Sequence, residues 1–298
     1  MLGTVWRPVV RWSGAAAGSN NSGSMPAANS FSVVAVQLNS CGEVKENLAQ
    51  CEHWVQAALG HRPDLILLPE NFAFLGPEAR RCEIAERLGD ADAPIQESLI
   101  SMARRTQATV VAGGFPERSP DPRRPFNTCA VFAPSGAVIA AYRKIHLFDV
   151  ELPSGQKMRE SDSTTPGVAP VVAQVAGVTV GLSVCYDLRF PELYRALVDL
   201  GAEVLLVPAA FTSETGPHHW QVLLRARAIE SSAWVVAANQ CGEHGHGRNS
   251  YGHSSVVDPW GTVVAELVEQ VGIVTWTLDL DLTRRCRERL PSLRHRRL

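Results

Sequence analysis

Apolar and polar positions along the chain follow two alternating rhythms. Short, almost wholly apolar runs of strand length occur at residues 31–38 (FSVVAVQL), 64–68 (DLILL), 109–112, 203–207 and 234–238. Between them lie helical spacings. Val44, Leu48, Cys51, Val55 and Leu59 share one face of a predicted helix over residues 43–59, and Ile95, Leu99 and Met102 share one over 94–107. Residues 191–200 read as a helix with Pro at its first turn and Gly201 after its end, and residues 219–232 as another. A last helix is expected to begin in the basic tail at Arg284.

A different texture intervenes three times. Runs 128–133 and 137–142 flank Pro134-Ser135-Gly136. Runs 171–175 and 178–184 flank Ala176-Gly177. Runs 254–257 and 262–266 flank Asp258-Pro259-Trp260-Gly261, and one more strand follows at 273–278. Apolar runs joined by such turns are hairpins, so no purely parallel sheet accommodates this chain. Strands apolar along their whole length are those covered on both faces. The predicted class is therefore α/β: a four-layer αββα sandwich of two mixed sheets, each covered by helices.

Three of the apolar runs end on a reactive side chain. DLILL leads into Pro69-Glu70-Asn71, AVIAAY into Arg143-Lys144, and VTVGLSV into Cys185-Tyr186-Asp187. Strand ends are where open α/β architectures gather their chemistry. Singly, Cys185 reads as an inert buried thiol, Lys144 as a solvated lysine and Glu70 as a cap. Together they form a coherent set. A lysine stabilises a thiolate, a glutamate takes the thiol proton as general base, and the ammonium with the Tyr186 amide N–H receives the charge that develops on a carbonyl oxygen.

Composition narrows the field. Of 298 residues, 45% are hydrophobic and 19% charged, which is ordinary for a globular protein. A formal charge of −2 carries no polyanion footprint, so nucleic acid is not an expected partner. No apolar run is long enough to span a bilayer, so no membrane partner is expected. The seven cysteines are odd in number, scattered and free of C-x-x-C pairs, which argues for a reducing compartment and against a zinc knuckle. His244 and His246 lack a third ligand at a sensible spacing, and no metal site is expected. Residues 1–30 stand apart, with Arg7, Arg11, several Ser and Ala and no acidic residue before Glu43. They read as a disordered or targeting extension, with residues 31–298 as a single domain. Met25 is a possible internal start. The expected compartment is the cytoplasm, with mitochondrion or plastid open through the extension.

The segments LLPENF, YRKIHLFDVELP and SVCYDLRFPEL resemble, in content and order, the Glu, Lys and Cys motifs of the carbon–nitrogen hydrolase (nitrilase) superfamily. FTSETGPHHWQVLLRARAIE and SYGHSSVVDPWG resemble its Nit branch, and the likeness runs from Phe31 to the C-terminus. It implies the same αββα sandwich, no metal and no organic cofactor. It also implies Glu70 as general base, Lys144 as oxyanion stabiliser and Cys185 as nucleophile. Many members carry a second, supporting glutamate after the lysine motif, and Glu151 is expected to fill that place. The activity implied is that of an amidase acting on a 2-oxo-glutaramyl group, in deaminated glutathione or in free 2-oxoglutaramate. Residues 238–242 and 251–254 favour the former, with the basic, Gly-rich loop 242–249 accepting the Cys-Gly end. Arg189, four residues past the nucleophile, suits capture of a substrate carboxylate or an ion pair with Glu192 or Asp187. Phe211, Thr215 and His219 are expected to line the pocket. A dimer or higher assembly is expected, with the 219–232 helix and the C-terminal segment as contacts. The contrasting readings are a non-catalytic interaction protein on the same scaffold and a redox-sensing thiol, for which no resolving cysteine stands near Cys185.

Overall fold

A computed structural model of the protein describes residues 29–90 and 92–297. The expected extension falls almost entirely outside them, but Ser30, assigned to it from the sequence, is already the first residue of a strand and pairs with Asp279.

The first sheet is built from β1 (Ser30–Gln37), β2 (Leu65–Leu67), β3 (Thr109–Glu117), β4 (Phe126–Phe132), β5 (Val138–Arg143) and a late strand, Gly272–Asp279. A small hairpin follows, β6 (Asp149–Glu151) with β7 (Lys157–Arg159). The second sheet contains β8 (Val172–Val175), β9 (Val178–Leu182), β10 (Val204–Ala209), β11 (Trp234–Asn239) and two further strands. Another short hairpin, β12 (Cys241–Glu243) with β13 (Asn249–Tyr251), precedes β14 (Ser254–Val257) and β15 (Val263–Leu267). Gly272–Asp279 is β16. The helices are α1 (Val44–Ala58), α2 (Pro94–Thr106), α3 (Pro191–Asp199), α4 (Gly216–Ser231) and α5 (Leu280–Arg289).

Each large sheet has six strands, in the orders β16-β1-β2-β3-β4-β5 and β15-β14-β11-β10-β9-β8. Each places three parallel strands at its centre, β1-β2-β3 and β9-β10-β11, with antiparallel strands on either side. Side chains alternate faces along a strand. Val33 and Ala35 of β1 therefore join the core between the sheets, with Leu65 and Leu67 of β2 and Val180 and Leu182 of β9. Val34 and Val36 point the other way, onto Cys51 and Val55 of α1 and Leu99 and Met102 of α2. Leu193 and Leu197 of α3 and Trp220 and Leu224 of α4 close the outer face of the second sheet. The layers run helices, sheet, sheet, helices, as the hairpin pattern predicts.

Three boundaries differ from the sequence reading. Thr109–Glu117 continues well past Ala112, because a register shift between Ala112 and Phe115 lets the strand pass through Gly113-Gly114 and keep its pairing with β4. The helix expected from His219 begins a turn earlier, at Gly216. The C-terminal helix begins at Leu280 rather than Arg284, where the Asp279 carboxylate accepts from the Asp281 amide at 3.0 Å and caps it. No helix among the described residues is long and apolar enough to cross a membrane.

Candidate active site

The central parallel strands bring their C-terminal ends to one end of the sandwich. Glu70 follows β2, Cys185 follows β9, Ala210 follows β10, and Lys144 continues β5 with its amide donating to the Asn127 carbonyl at 2.9 Å. The residues that interrupt apolar runs in the sequence are thereby gathered around one cavity of about 270 Å³. Glu70 and Lys144 are only 4% and 2% exposed.

Lys144 Nζ lies 3.0 Å from Glu70 Oε1 and 2.8 Å from Glu160 Oε2. Asn127 Nδ2 donates to Glu70 Oε1 at 2.9 Å and to Glu160 Oε1 at 3.3 Å, so one amide ties the two carboxylates together. The Ala210 amide donates to Glu70 Oε2 at 3.0 Å, and the Phe148 amide to Glu160 Oε2 at 2.7 Å. The Cys185 thiol lines the same cavity, close enough to Glu70 for each group to shift the other's titration.

These contacts set the charge states. Burial raises the Glu70 carboxyl, but the Lys144 charge and the hydrogen bonds from Lys144 and Ala210, with the nearby Cys185 thiol, outweigh it and hold Glu70 below the ordinary carboxylate range. Burial alone would lower Lys144, but Glu160 and Glu70 raise it well above the usual lysine value. Burial, and next the Glu70 carboxylate, push the Cys185 thiol well above 9.0, against the lowering effect of Lys144. The resting site is thus a neutral thiol beside an ionised carboxylate and an ammonium. Lys144 favours the thiolate, as the sequence reading expects of a lysine there, but burial and the Glu70 charge outweigh it in the resting site.

Glu151, expected as the second glutamate, is corrected. It is exposed on β6, with Lys157 Nζ 3.7 Å away at the surface. The β6–β7 hairpin carries the chain out and back, and Glu160, at its returning end, reaches the lysine. Three contiguous polar residues, Arg159-Glu160-Ser161, gave no contrast by which a periodicity argument would single it out.

Cys185 itself has φ +49°, a left-handed conformation costly for a residue with a side chain. The fully buried Asp187 carboxylate accepts from the Val184 amide at 2.8 Å, the Tyr142 hydroxyl at 2.8 Å and the His146 amide at 3.2 Å, and lies 2.7 Å from His146 Nδ1. The His146 ring stacks on Phe190 with centroids 3.7 Å apart. This network brackets the strained turn and holds the sulfur toward Glu70. Asn127, Asp187 and Gln240, whose Nε2 donates to the Glu70 carbonyl at 3.0 Å, are site residues that sequence reasoning missed. Buried polar residues beside reactive ones were the available signal.

Tyr186, Arg189, Phe211 and Thr215 line the cavity, as expected. Arg189 lies over the rings of Phe211 and Tyr186, at 5.1 and 5.8 Å, and its Nη2 donates to Thr215 Oγ1 at 3.5 Å. Among the described residues it has no carboxylate within ion-pair distance, so the expected alternatives of Glu192 and Asp187 are not its partners. His219 is corrected: it is exposed and does not line the cavity, but meets Arg189 from behind, with Nδ1 3.1 Å from Nη1. Burial, then Arg189 and His218, lower its pKa, so the ring is neutral and accepts. His244 lines the cavity with Nδ1 2.8 Å from the Ser40 carbonyl, which fixes the proton on that nitrogen.

Comparison with known proteins identifies the family. The family model described as carbon-nitrogen hydrolase matches residues 32–288. The chain is 42% identical over 269 residues to a deaminated glutathione amidase of Synechocystis, covering 89% of this chain and 98% of that protein. It is 44% identical over 271 residues to the human deaminated glutathione amidase, covering 89% of this chain and 82% of that one. The crystal structure of the Caenorhabditis elegans NitFhit protein superposes with a TM-score of 0.84 at 36% identity, covering 91% of this chain and 66% of that chain. The family model spans most of the chain and these relatives are matched over most of their length, so the chain belongs to the carbon–nitrogen hydrolase family.

Proposed function

We propose that this protein is an amidase that hydrolyses the 2-oxo-glutaramyl amide of deaminated glutathione through a cysteine thioester. The observation that carries the reading is the convergence of Cys185, Glu70 and Lys144 on one cavity, with the Lys144 ammonium 3.0 Å from the Glu70 carboxylate. The relatives named as deaminated glutathione amidases support the choice of substrate.

Glu70 takes the thiol proton as sulfur attacks the amide carbonyl. The negative charge that forms on oxygen is met by Lys144 and the Tyr186 amide, fixed in place before the reaction begins. Glu70 then returns the proton to the departing nitrogen, the C–N bond breaks, and a thioester to Cys185 remains. Water enters, Glu70 accepts its proton, and the thioester is cleaved to the free acid with the thiol restored. Arg189 binds the carboxylate of the 2-oxo acid: among the described residues it has no anionic partner, it lies on the side of the nucleophile's own turn, and Phe211, Tyr186 and Thr215 hold its plane.

Self-association is part of the same proposal. The outward side of α4 leaves Val222 and Ile229 exposed at 65% and 48%, and Trp260 at 49%, which supports a dimer through that helix.

The test is a substrate panel on the purified protein, with Cys185→Ala as control. Deaminated glutathione is expected to be hydrolysed with higher kcat/KM than free 2-oxoglutaramate, and Cys185→Ala to be inactive on both. Preference for the free amide would reassign the protein as an ω-amidase. Surviving activity in Cys185→Ala would remove the mechanism.

A further inference from the structure

The cavity carries more positive charge than one carboxylate requires. At its floor, Glu70, Lys144 and Glu160 sum to −1. The other charged side chains lining it are Arg81, Lys157, Arg159, Arg189 and Arg248 against Glu78 and Glu214, which sum to +3. With Arg189 assigned to the 2-oxo acid, +2 remains with no part in the chemistry.

That charge is concentrated where the two small hairpins meet. Arg248, at the approach to β13, is held by an ion pair to Glu78. Ser163 Oγ donates to the same Glu78 carboxylate at 3.1 Å, and Ser163 closes the turn that begins immediately after Arg159. Glu78 thus pins the β12–β13 side of the mouth to the β6–β7 side. Arg81, buried behind it, donates from Nη1 to Asn71 Oδ1 at 2.9 Å and has its Nε 3.6 Å from Glu78, while its Nη2 has no hydrogen-bond partner among the described residues. One carboxylate therefore serves two guanidinium groups. Arg159 is exposed, lines the cavity and has no carboxylate within ion-pair distance among the described residues; Lys157 is turned toward Glu151.

Through Asn71, Arg81 also ties this pole to the Glu70 end of the cavity. Asn71, which anchors Arg81, directly follows Glu70, the residue that protonates the leaving nitrogen. Arg189 is instead built from the Tyr186, Phe211 and Thr215 side. A substrate whose acyl carboxylate lies on Arg189 and whose nitrogen lies at Glu70 extends its leaving group toward Asn71 and the hairpins.

We infer that Arg159 and Arg248 form a second carboxylate subsite, which holds the acid terminus of a peptidyl amine leaving group and selects it over ammonia. The inference rests on the proposed amidase function and adds to it the residues that distinguish a peptidyl amide from a free one. Both guanidinium groups line one cavity, Arg248 held there by Glu78, and flexible ammonium groups would not present the same fork of donors to an anion between them.

The experiment compares three substrates of the wild-type enzyme: 2-oxo-glutaramyl-Cys-Gly, the same compound with its C-terminal carboxylate converted to an amide, and free 2-oxoglutaramate. The acid is expected to exceed its C-terminal amide about three- to tenfold in kcat/KM, through KM, as fits a partly exposed charge pair. In Arg159→Gln and in Arg248→Gln that acid-over-amide ratio is expected to fall toward one. The ratio is internal to each protein, so partial unfolding of a variant does not mimic the result. Equal rates for acid and amide in the wild type, or a ratio that persists in both variants, overturn the subsite. Absence of hydrolysis of all three compounds by the wild type overturns the amidase reading itself, and the two failures are distinct.

Discussion

Lys144 Nζ stands 2.8 Å from Glu160 Oε2, and this contact joins the floor of the cavity to a hairpin at the surface. The ammonium is shared between Glu160 and Glu70, with Asn127 bonded to both carboxylates. In the proposed mechanism Glu160, which meets the ammonium through both carboxylate oxygens, fixes the lysine beside the developing oxyanion, while Glu70 handles protons. Glu160→Gln removes the charge and keeps the shape. It is expected to lower kcat about 100- to 1,000-fold, the range for disturbing a preorganised oxyanion donor. Glu151→Gln, at the exposed site, is expected to leave kcat unchanged. Steady-state kinetics on both variants checks the assignment, and equal losses would refute it.

The left-handed backbone of Cys185 yields a stability prediction separable from activity. Cys185→Ala and Cys185→Gly both remove the thiol and both should be inactive. Alanine retains the Cβ that makes φ +49° unfavourable, whereas glycine accepts it freely. Cys185→Gly is therefore expected to be about 1 kcal/mol more stable than Cys185→Ala. Paired denaturant titrations measure the difference. A less stable glycine variant would show that the Asp187 network, and not the backbone, bears the strain.

How much of this site was legible in the sequence depended on contrast. Glu70, Lys144 and Cys185 each end an apolar strand, so polarity changes sharply at each. The layered fold was legible for the same reason: β1 divides its residues between two cores with period two, and the hairpin turns are explicit. Glu160 was illegible because it lies in a polar stretch where the register of a three-residue hairpin decides which glutamate points inward. Asn127, second in its strand and two residues after Pro125, reads as turn chemistry until the fold places Glu70 next to it. Gly113-Gly114 read as the end of a strand because glycine is poor at strand interiors, yet here the bulge uses them. His219 was misplaced because helix position gives distance from Arg189 but not which side of it.

The charge states give a pH dependence with a definite sign. Glu70 titrates below the ordinary carboxylate value of 4.5, chiefly because Lys144 overcomes the cost of burial. In the proposed mechanism its ionised form accepts the thiol proton, so kcat/KM is expected to hold steady through neutrality and fall only in acid, below that value. The same shift bears on folding. A depressed folded-state pKa contributes stability that is complete above the unfolded value and lost as pH falls through the folded one. Glu70→Gln should remove this acid-sensitive contribution along with the activity. Stability measured against pH in wild type and variant checks it. An unchanged acid limb in Glu70→Gln would assign the transition to another carboxylate.

Gly114 tests how closely the site is packed against the bulge in β3. A Cβ added there would lie 2.7 Å from Asn127 Oδ1 and 3.2 Å from Glu70 Cγ. Both neighbours are buried and tied by hydrogen bonds, so neither moves without disturbing Lys144 or Glu160. The Gly114 backbone also matters, since its carbonyl accepts from the Asn71 amide at 2.9 Å. Gly114→Ala is expected to shift the Glu70 carboxylate by a fraction of an ångström and reduce kcat about 10- to 100-fold, as a misplaced catalytic group does. KM should change far less, because Arg189 and the outer cavity are built from other elements. The overall fold should survive, since the strain falls on two side chains and not on a helix or a sheet interior. A loss carried by KM would place the damage in substrate binding, and wild-type kinetics would mean that Glu70 has slack that its four close neighbours deny.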